Sequence, residues 1–140
     1  MPGDSAANRA ADRAAERYAE LRRDEARTPK KLYAVDGTVP PGAPVTDVAQ
    51  LTAIATAAVR AGNGHVLETS HVQFPNGAVT LVLILAESHL SLHTWPEESL
   101  IAIDLFSCGA IDGDTVVARL VGELGLTGVR AQHMDRGTAR

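Results

Sequence analysis

The stretch that decides the fold reads Thr80-Leu-Val-Leu-Ile-Leu-Ala-Glu-Ser-His-Leu-Ser-Leu-His-Thr-Trp-Pro-Glu97. Its first part, Leu81–Leu85, is continuously apolar, which is typical of a strand buried on both faces. In its second part, apolar and polar residues alternate, which predicts another strand with two unlike faces. One face carries Leu90, Leu92 and Thr94, and the other carries His89, Ser91, His93 and Trp95. Two histidines and a serine on one face are unusual for an ordinary half-buried strand.

Outward from this stretch, the pattern predicts further strands and two helices. Strands are predicted at Lys31–Val35, His65–Phe74, Thr80–Leu85, Leu90–Trp95, Leu100–Phe106 and Val129–Met134, and helices at Thr46–Ala61 and Asp114–Leu124. Thr46 is the expected N-cap of the first helix, and Gly62 is expected to end it. The order β-α-β-β-β-β-α-β predicts an α+β fold, a two-layer sandwich in which helices cover one face of a largely antiparallel sheet.

Residues 1–28 are predicted to form a helical extension outside the main domain, which spans 29–140. From about Ser5 to Arg27 the segment is rich in Ala, Arg and Glu. Its apolar residues recur at the three- or four-residue spacing of an amphipathic helix, at Ala10, Ala14, Tyr18 and Leu21. Because this stripe is mostly alanine, it buries little area, and we expect it to pack weakly or on a partner.

The composition fits one globular domain and argues against several classes of function. The chain has 140 residues, 45% of them hydrophobic, and a net charge of −4, so a nucleic-acid partner is not expected. No apolar run reaches the roughly 20 residues that a membrane-spanning helix needs. The first residues lack the features of a secretory signal, and the single cysteine, Cys108, cannot form an internal disulfide. We therefore expect a cytoplasmic protein.

Taken alone, the polar face of the second strand allows several interpretations. His89 and His93 could bind a metal ion, but their spacing suits a helix better than a strand, and no third ligand stands nearby. We therefore assign no metal site. A serine hydrolase is disfavoured because no Gly-x-Ser-x-Gly motif surrounds Ser88. A solvated outer face remains the simplest alternative.

A resemblance to a known family favours a different chemistry. Glu87-Ser-His-Leu-Ser-Leu-His-Thr-Trp-Pro-Glu97, followed by Ala102-Ile-Asp-Leu-Phe-Ser-Cys-Gly109, resembles the signature of the bacterial and archaeal S-adenosylmethionine decarboxylase proenzymes. The similarity extends from about Lys30 to Arg136. It implies self-cleavage between Glu87 and Ser88, which converts Ser88 into a pyruvoyl cofactor. No ordinary side chain offers such a ketone, which serves as the electron sink for decarboxylation.

The resemblance also implies roles for other residues. His93 matches a histidine that transfers protons during self-processing, and Thr80 stands where relatives often have a serine that assists it. Cys108 matches the cysteine that protonates the α-carbon after carbon dioxide leaves. Phe74 and Glu97 match the substrate-binding residues, an aromatic that stacks on adenine and a carboxylate that accepts hydrogen bonds from the ribose. A homodimer of cleaved protomers is implied, with a small-molecule substrate and spermidine biosynthesis as the role.

Departures from the family pattern leave alternatives open. Pro29-Lys-Lys31 replaces the family's Gly-x-His, and Ser99-Leu-Ile-Ala102 replaces its Gly-Tyr-Ala-Ala. A pyruvoyl-dependent arginine or ornithine decarboxylase on the same scaffold is therefore the second hypothesis, and a non-catalytic regulatory paralogue is the third. The remaining histidines have no identifiable partner in the sequence and are interpreted as surface or structural residues: His65, His71 and His133.

Overall fold

The computed structural model describes residues 6–17, 19 and 29–137. The helices are α1 (Ala6–Arg17), α2 (Val48–Ala61) and α3 (Gly113–Leu124), with a short 3-10 turn at Pro96–Glu98. The strands are β1 (Lys30–Thr38), β2 (Val66–Gln73), β3 (Val79–Leu85), β4 (Ser88–Trp95), β5 (Leu100–Cys108) and β6 (Thr127–Arg136). Every predicted strand is present, and several are longer than predicted.

The strands of the described residues form one six-stranded sheet in the order β2-β3-β4-β5-β1-β6. Every neighbouring pair is antiparallel. Helices α2 and α3 contact each other, α2 also contacts β2 and β3, and α3 contacts β1. The helices therefore form one layer on one face of the sheet, which confirms the predicted two-layer α+β fold. We call the covered face the inner face and the opposite one the outer face.

The core lies between the inner face and the helices. Leu83, Leu90 and Leu105 are aligned across β3, β4 and β5, and all three are fully buried. Because side chains alternate along a strand, the polar residues of β4 are directed to the outer face. The prediction that Leu81–Leu85 is buried on both faces is wrong for the single chain. Ile84, on the outer face, is 41% exposed because no helix covers it.

The ends of helix α2 differ in part from the prediction. Asp47, not Thr46, is the N-cap, and its Oδ1 accepts a hydrogen bond of 3.0 Å from the backbone N–H of Gln50. A carboxylate one residue further along reaches this N–H group, so the predicted threonine cap is wrong. Gly62 is the C-cap, as predicted.

Helix α3 begins against an aromatic ring of β1. A Cβ atom on Gly113 would lie 2.3 Å from the Tyr33 ring, so the first residue of this helix has to be glycine. Asp112 caps the helix, and hydrogen bonds from Thr115 hold the pKa of its carboxyl below the ordinary value. Burial, with the neighbouring charge of Asp114, raises the pKa of Tyr33 to about 12.

Helix α1 contacts β2, which gives the N-terminal extension a position against the sheet. Two residues of its predicted apolar stripe, Tyr18 and Leu21, lie outside the described residues, as does the predicted continuation of the helix to Arg27. In the part of the chain that the structure describes, no helix has the length and apolarity needed to cross a membrane.

Candidate functional site

The connection between β3 and β4 contains a strained residue at the position predicted to be cut. Leu85 pairs with Ser88, so Ala86 and Glu87 alone form the turn. Two-residue hairpin turns usually place positive φ angles within the turn itself, and glycine or asparagine supplies them. Here the positive φ angle falls on Ser88 instead, at 149°. Such a backbone costs about 1–3 kcal/mol for a residue with a side chain and persists only where its surroundings hold it.

Two donors of Cys108 hold the carbonyl group that precedes Ser88. The backbone N–H of Cys108 donates to the Glu87 carbonyl oxygen at 3.2 Å, and the Cys108 Sγ donates to the same oxygen at 3.0 Å. Cys108 is 8% exposed, so little water competes for this oxygen. Donors that converge on one carbonyl oxygen polarise it and stabilise negative charge that develops there. The arrangement favours attack by a nucleophile on the Glu87 carbonyl carbon.

The Glu87 side chain is buried, and His65 binds it. Only 1% of Glu87 is exposed. Its Oε1 accepts from the backbone N–H of His65 at 2.8 Å, and its Oε2 lies 2.8 Å from Nδ1 of the same residue. An ionised carboxylate only accepts hydrogen bonds, so Nδ1 donates in this contact when the carboxylate is ionised. His65 therefore has a partner in the fold, Glu87, that the sequence does not reveal.

A second group of polar residues lies near the opposite end of β4. The Thr80 hydroxyl and Nδ1 of His93 are hydrogen-bonded at 3.1 Å, across the β3–β4 pair. They line a pocket of about 400 Å³ whose other walls are Phe74, Asn76, Ala78, Thr94, Trp95 and Glu97. The pocket combines an aromatic surface with a carboxylate and a hydroxyl–imidazole pair, and such a mixture suits an organic ligand with polar groups.

Asn76 orients the carboxylate of this pocket. Its Nδ2 donates to Oε2 of Glu97 at 3.2 Å, while its Oδ1 accepts from the backbone N–H of Ala78 at 3.1 Å. The side chain is thereby held at both ends, and it fixes one Glu97 oxygen while the other can accept from a ligand. Pro75-Asn76-Gly77 has the composition of a turn, and the sequence does not reveal this contact because Asn76 and Glu97 are 21 positions apart.

The two groups do not meet within one chain. Ser88 and His93 are five residues apart on one strand, which corresponds to about 16 Å at roughly 3.3 Å per residue. Glu87, Ser88 and Cys108 are together at one end, which we call the carbonyl cluster. Phe74, Thr80, His93 and Glu97 are together at the other, which we call the pocket cluster. Every predicted site residue belongs to one of these two clusters.

The other polar candidates lie outside both clusters. His133 lies beside Tyr33 with ring centroids 5.8 Å apart, so it does have a neighbour, and His71 is exposed on β2. His89 lies on the outer face beside the Phe106 ring. Among the described residues, no three His, Cys, Asp or Glu side chains come together as a metal site would require.

A two-layer α+β domain that holds a strained serine after a polarised carbonyl is a scaffold suited to self-processing, and comparisons with known proteins identify its family. A sequence profile described as S-adenosylmethionine decarboxylase matches residues 32–137. The chain therefore belongs to the S-adenosylmethionine decarboxylase family, as the resemblance predicted.

Individual relatives agree with this assignment. The S-adenosylmethionine decarboxylase proenzyme of Pyrobaculum arsenaticum is 39% identical over 79 residues, which are 56% of this chain and 59% of that protein. The proenzyme of Prochlorococcus marinus is 52% identical over 58 residues, 41% of this chain and 46% of that protein. The chain thus spans about half the length of the curated relatives it matches.

A solved structure agrees over a larger share of the chain. The crystal structure of the adenosylmethionine decarboxylase from Aquifex aeolicus matches with a TM-score of 0.69 and 26% sequence identity. The match covers 82% of this chain and 96% of that one.

The contacts of Cys108 predict that it assists cleavage without being essential for it. In Cys108→Ala the thiol donor is lost while the backbone N–H remains, so cleavage at Ser88 is expected to slow about tenfold, since a thiol is a weak donor. Cys108→Ser, which keeps a donor, is the matched control and is expected to cleave faster than the alanine variant. The rate is measured by mass spectrometry of freshly synthesised chains. Cleavage of Cys108→Ala at the wild-type rate would contradict the role.

Proposed function

We propose that this chain is a self-processing, pyruvoyl-dependent decarboxylase that acts on S-adenosylmethionine in the cytoplasm and supplies the decarboxylated product for spermidine synthesis. One observation carries the proposal. In a member of this family, a strained serine directly follows a carbonyl group that two Cys108 donors polarise. Membership of the family rests on the profile match over residues 32–137.

The proposed cleavage uses only groups of the chain and one water molecule. The Ser88 hydroxyl attacks the Glu87 carbonyl carbon, and the peptide C–N bond breaks, so that an ester replaces the amide. Removal of the α-proton of residue 88 then eliminates the Glu87 carboxylate and leaves a dehydroalanine. Water hydrolyses its imine tautomer, which releases ammonia and leaves a pyruvoyl group on the fragment 88–140. The strain at Ser88 favours the first step because breaking the amide relieves it.

The pyruvoyl group derived from Ser88 supplies the electron sink that decarboxylation of an amino acid needs. The chain's own residues provide binding and protons. Cys108, already in contact with the scissile carbonyl, is positioned to deliver a proton to the reacting carbon after carbon dioxide leaves. In the pocket cluster, Phe74 is 48% exposed and can stack on an adenine ring, while Glu97 can accept hydrogen bonds from ribose hydroxyls.

The pocket favours S-adenosylmethionine over arginine or ornithine. A stacking surface and an acceptor oriented by Asn76 match a nucleoside, which neither alternative substrate contains. The third hypothesis, a non-catalytic paralogue, is disfavoured because the carbonyl cluster and His93 retain every group that the chemistry requires.

The separation of the two clusters supports a homodimer. Because a serine and a histidine about 16 Å apart on one strand cannot act on one ligand, we propose that the carbonyl cluster of one protomer faces the pocket cluster of its partner. A two-fold axis parallel to the sheet and perpendicular to β4 would stack the two outer faces and bring opposite ends of β4 together in this way. The outer face also exposes apolar side chains suited to burial, namely Ile84, Met134 and Trp95.

The nucleophile and the substrate can be tested together. Ser88→Ala is expected to remain one intact chain without decarboxylase activity, because no hydroxyl can attack the Glu87 carbonyl. Ser91→Ala, on the same strand, is the matched control and is expected to be cut. Release of carbon dioxide by the wild-type protein is measured with S-adenosylmethionine, arginine and ornithine. A preference for either amino acid would assign the second hypothesis instead, and a cut Ser88→Ala chain would move the nucleophile elsewhere.

Asn76→Ala is expected to raise KM for S-adenosylmethionine about tenfold with little change in kcat, because an unoriented carboxylate binds the ribose less well. Steady-state kinetics measure this. The matched control is Gln73→Ala, which removes a hydrogen bond to the turn residue Gly77 and another to Thr46. This variant keeps the contact between Asn76 and Glu97. Equal effects of both variants would show that the turn, rather than the Glu97 contact, determines binding.

The shared site predicts complementation between two defective variants. His93→Ala alone is expected to be cut about a hundredfold more slowly, the low end of acid–base contributions. When it is co-expressed with Ser88→Ala, the partner supplies His93, so the His93→Ala chain is expected to be cut. Intact mass distinguishes the two chains. Co-expression with the double variant Ser88→Ala/His93→Ala is the control and is expected to leave the His93→Ala chain at its slow rate of cleavage. Failure of the first pair to complement would contradict the shared site.

A further inference from the structure

His65 holds the β3–β4 turn through three hydrogen bonds. Its backbone N–H and its Nδ1 donate to the two oxygens of the Glu87 carboxylate, both at 2.8 Å. Its carbonyl oxygen accepts from the backbone N–H of Ala86 at 2.9 Å. Both residues of the turn are therefore bound to one residue that lies just before β2, at the edge of the sheet. No local spacing in the sequence indicates this, because His65 and Glu87 are 22 positions apart.

The Glu87 residue is thus held from two sides. Its carboxylate is bound to His65, and its carbonyl oxygen is bound to Cys108. Since both groups belong to one residue, the direction of the carbonyl depends on the position of the carboxylate. The Glu87 side chain is 1% exposed, whereas the His65 side chain is 40% exposed and lies between the carboxylate and solvent. Removal of the imidazole would leave the backbone N–H of residue 65 as a partner of Oε1 but would open a path to water for Oε2, so the carboxylate would turn outward. Such a rotation would take the carbonyl oxygen away from the Cys108 donors.

We propose that His65 is a positioning residue for self-cleavage, which acts through the Glu87 carboxylate to keep the scissile carbonyl on the two donors of Cys108. This inference rests on the proposed function. His65 does not touch the reacting atoms, and its contribution is geometric. Displacement of a reacting group by about 1 Å can cost up to about a hundredfold in rate, so the contact is a sensitive one.

Three substitutions of His65 separate the effect of losing the hydrogen bond to Glu87 from the effect of losing the imidazole ring. The amide nitrogen of asparagine lies two bonds from Cβ, as Nδ1 does, so His65→Asn can keep the hydrogen bond to Glu87. His65→Ala removes the donor. His65→Asp places a second carboxylate against Glu87, which repels it. Exposed His71 on the neighbouring strand provides the matched control, His71→Ala.

The experiment measures the rate of cleavage at Ser88 in freshly synthesised chains by intact mass, with the thermal unfolding of each chain as a check on folding. We expect His65→Ala to be cut about ten- to a hundredfold more slowly than wild type and His65→Asn to recover most of the rate. His65→Asp is expected to be slower than His65→Ala, and His71→Ala to cleave normally. Once cut, His65→Asn is expected to turn over substrate like wild type, since the scissile bond no longer exists.

Two outcomes would overturn the inference. One is a His65→Ala chain that is cut at the wild-type rate, and the other is a folded His65→Asn chain that is no faster than His65→Ala. If the wild-type chain cleaves and decarboxylates, either result leaves the proposed function intact and contradicts only the positioning role of His65. If the wild-type chain itself stays whole, the proposed function fails, and the two failures are thus distinguishable. If His65→Ala does not fold, His65→Asp takes its place in both comparisons.

Discussion

A hairpin turn of two residues, closed without glycine, is the constraint on which the rest of the site depends. Ala86 and Glu87 join two strands that the core holds in a fixed register, so the strain of the turn falls on Ser88. The turn persists because His65 binds it on one side and Cys108 on the other. The strained backbone of Ser88 adjoins the Glu87–Ser88 peptide bond, so breaking that bond would release the strain.

The same sheet separates the two halves of the chemistry. Strand β4 carries Ser88, the proposed cleavage residue, at its start and His93, the proposed processing histidine, near its end, and a strand cannot bend one toward the other. In the proposed dimer, each protomer supplies the carbonyl cluster to one site and the pocket cluster to the other, so the separation within one chain gives two complete sites in the dimer. The polar residues on the outer face of β4 would then line the joint between two copies rather than face solvent.

Much of the fold could be predicted because strand alternation directly reflects which side chains the core buries. Alternation places Leu90 and Leu92 on one face, opposite the polar residues, and both are fully buried. The prediction for Leu81–Leu85 was wrong because apolar residues mark any buried face, including one that a second chain would cover. Thr46 and Asp47 are adjacent and chemically similar as caps, so only the backbone geometry chooses between them.

The site was predictable only in part. The residues of the carbonyl cluster came from the family signature, which includes the spacing from Glu87 to Cys108, whereas His65 and Asn76 lie outside that signature and act on partners 22 and 21 positions away. Such contacts depend on strand register, which a single sequence does not specify at the level of side chains. A histidine at a strand edge and an asparagine in a turn are also common for purely structural reasons, so neither residue type indicates a functional site.

Intact mass spectrometry of the purified wild-type chain tests the central claim most directly. The account predicts two chains, residues 1–87 ending in Glu87 and residues 88–140 beginning with a pyruvoyl group in place of Ser88. A single chain of 14.7 kDa that stays whole on prolonged incubation would contradict it. The strained turn would then be a structural feature without a chemical role.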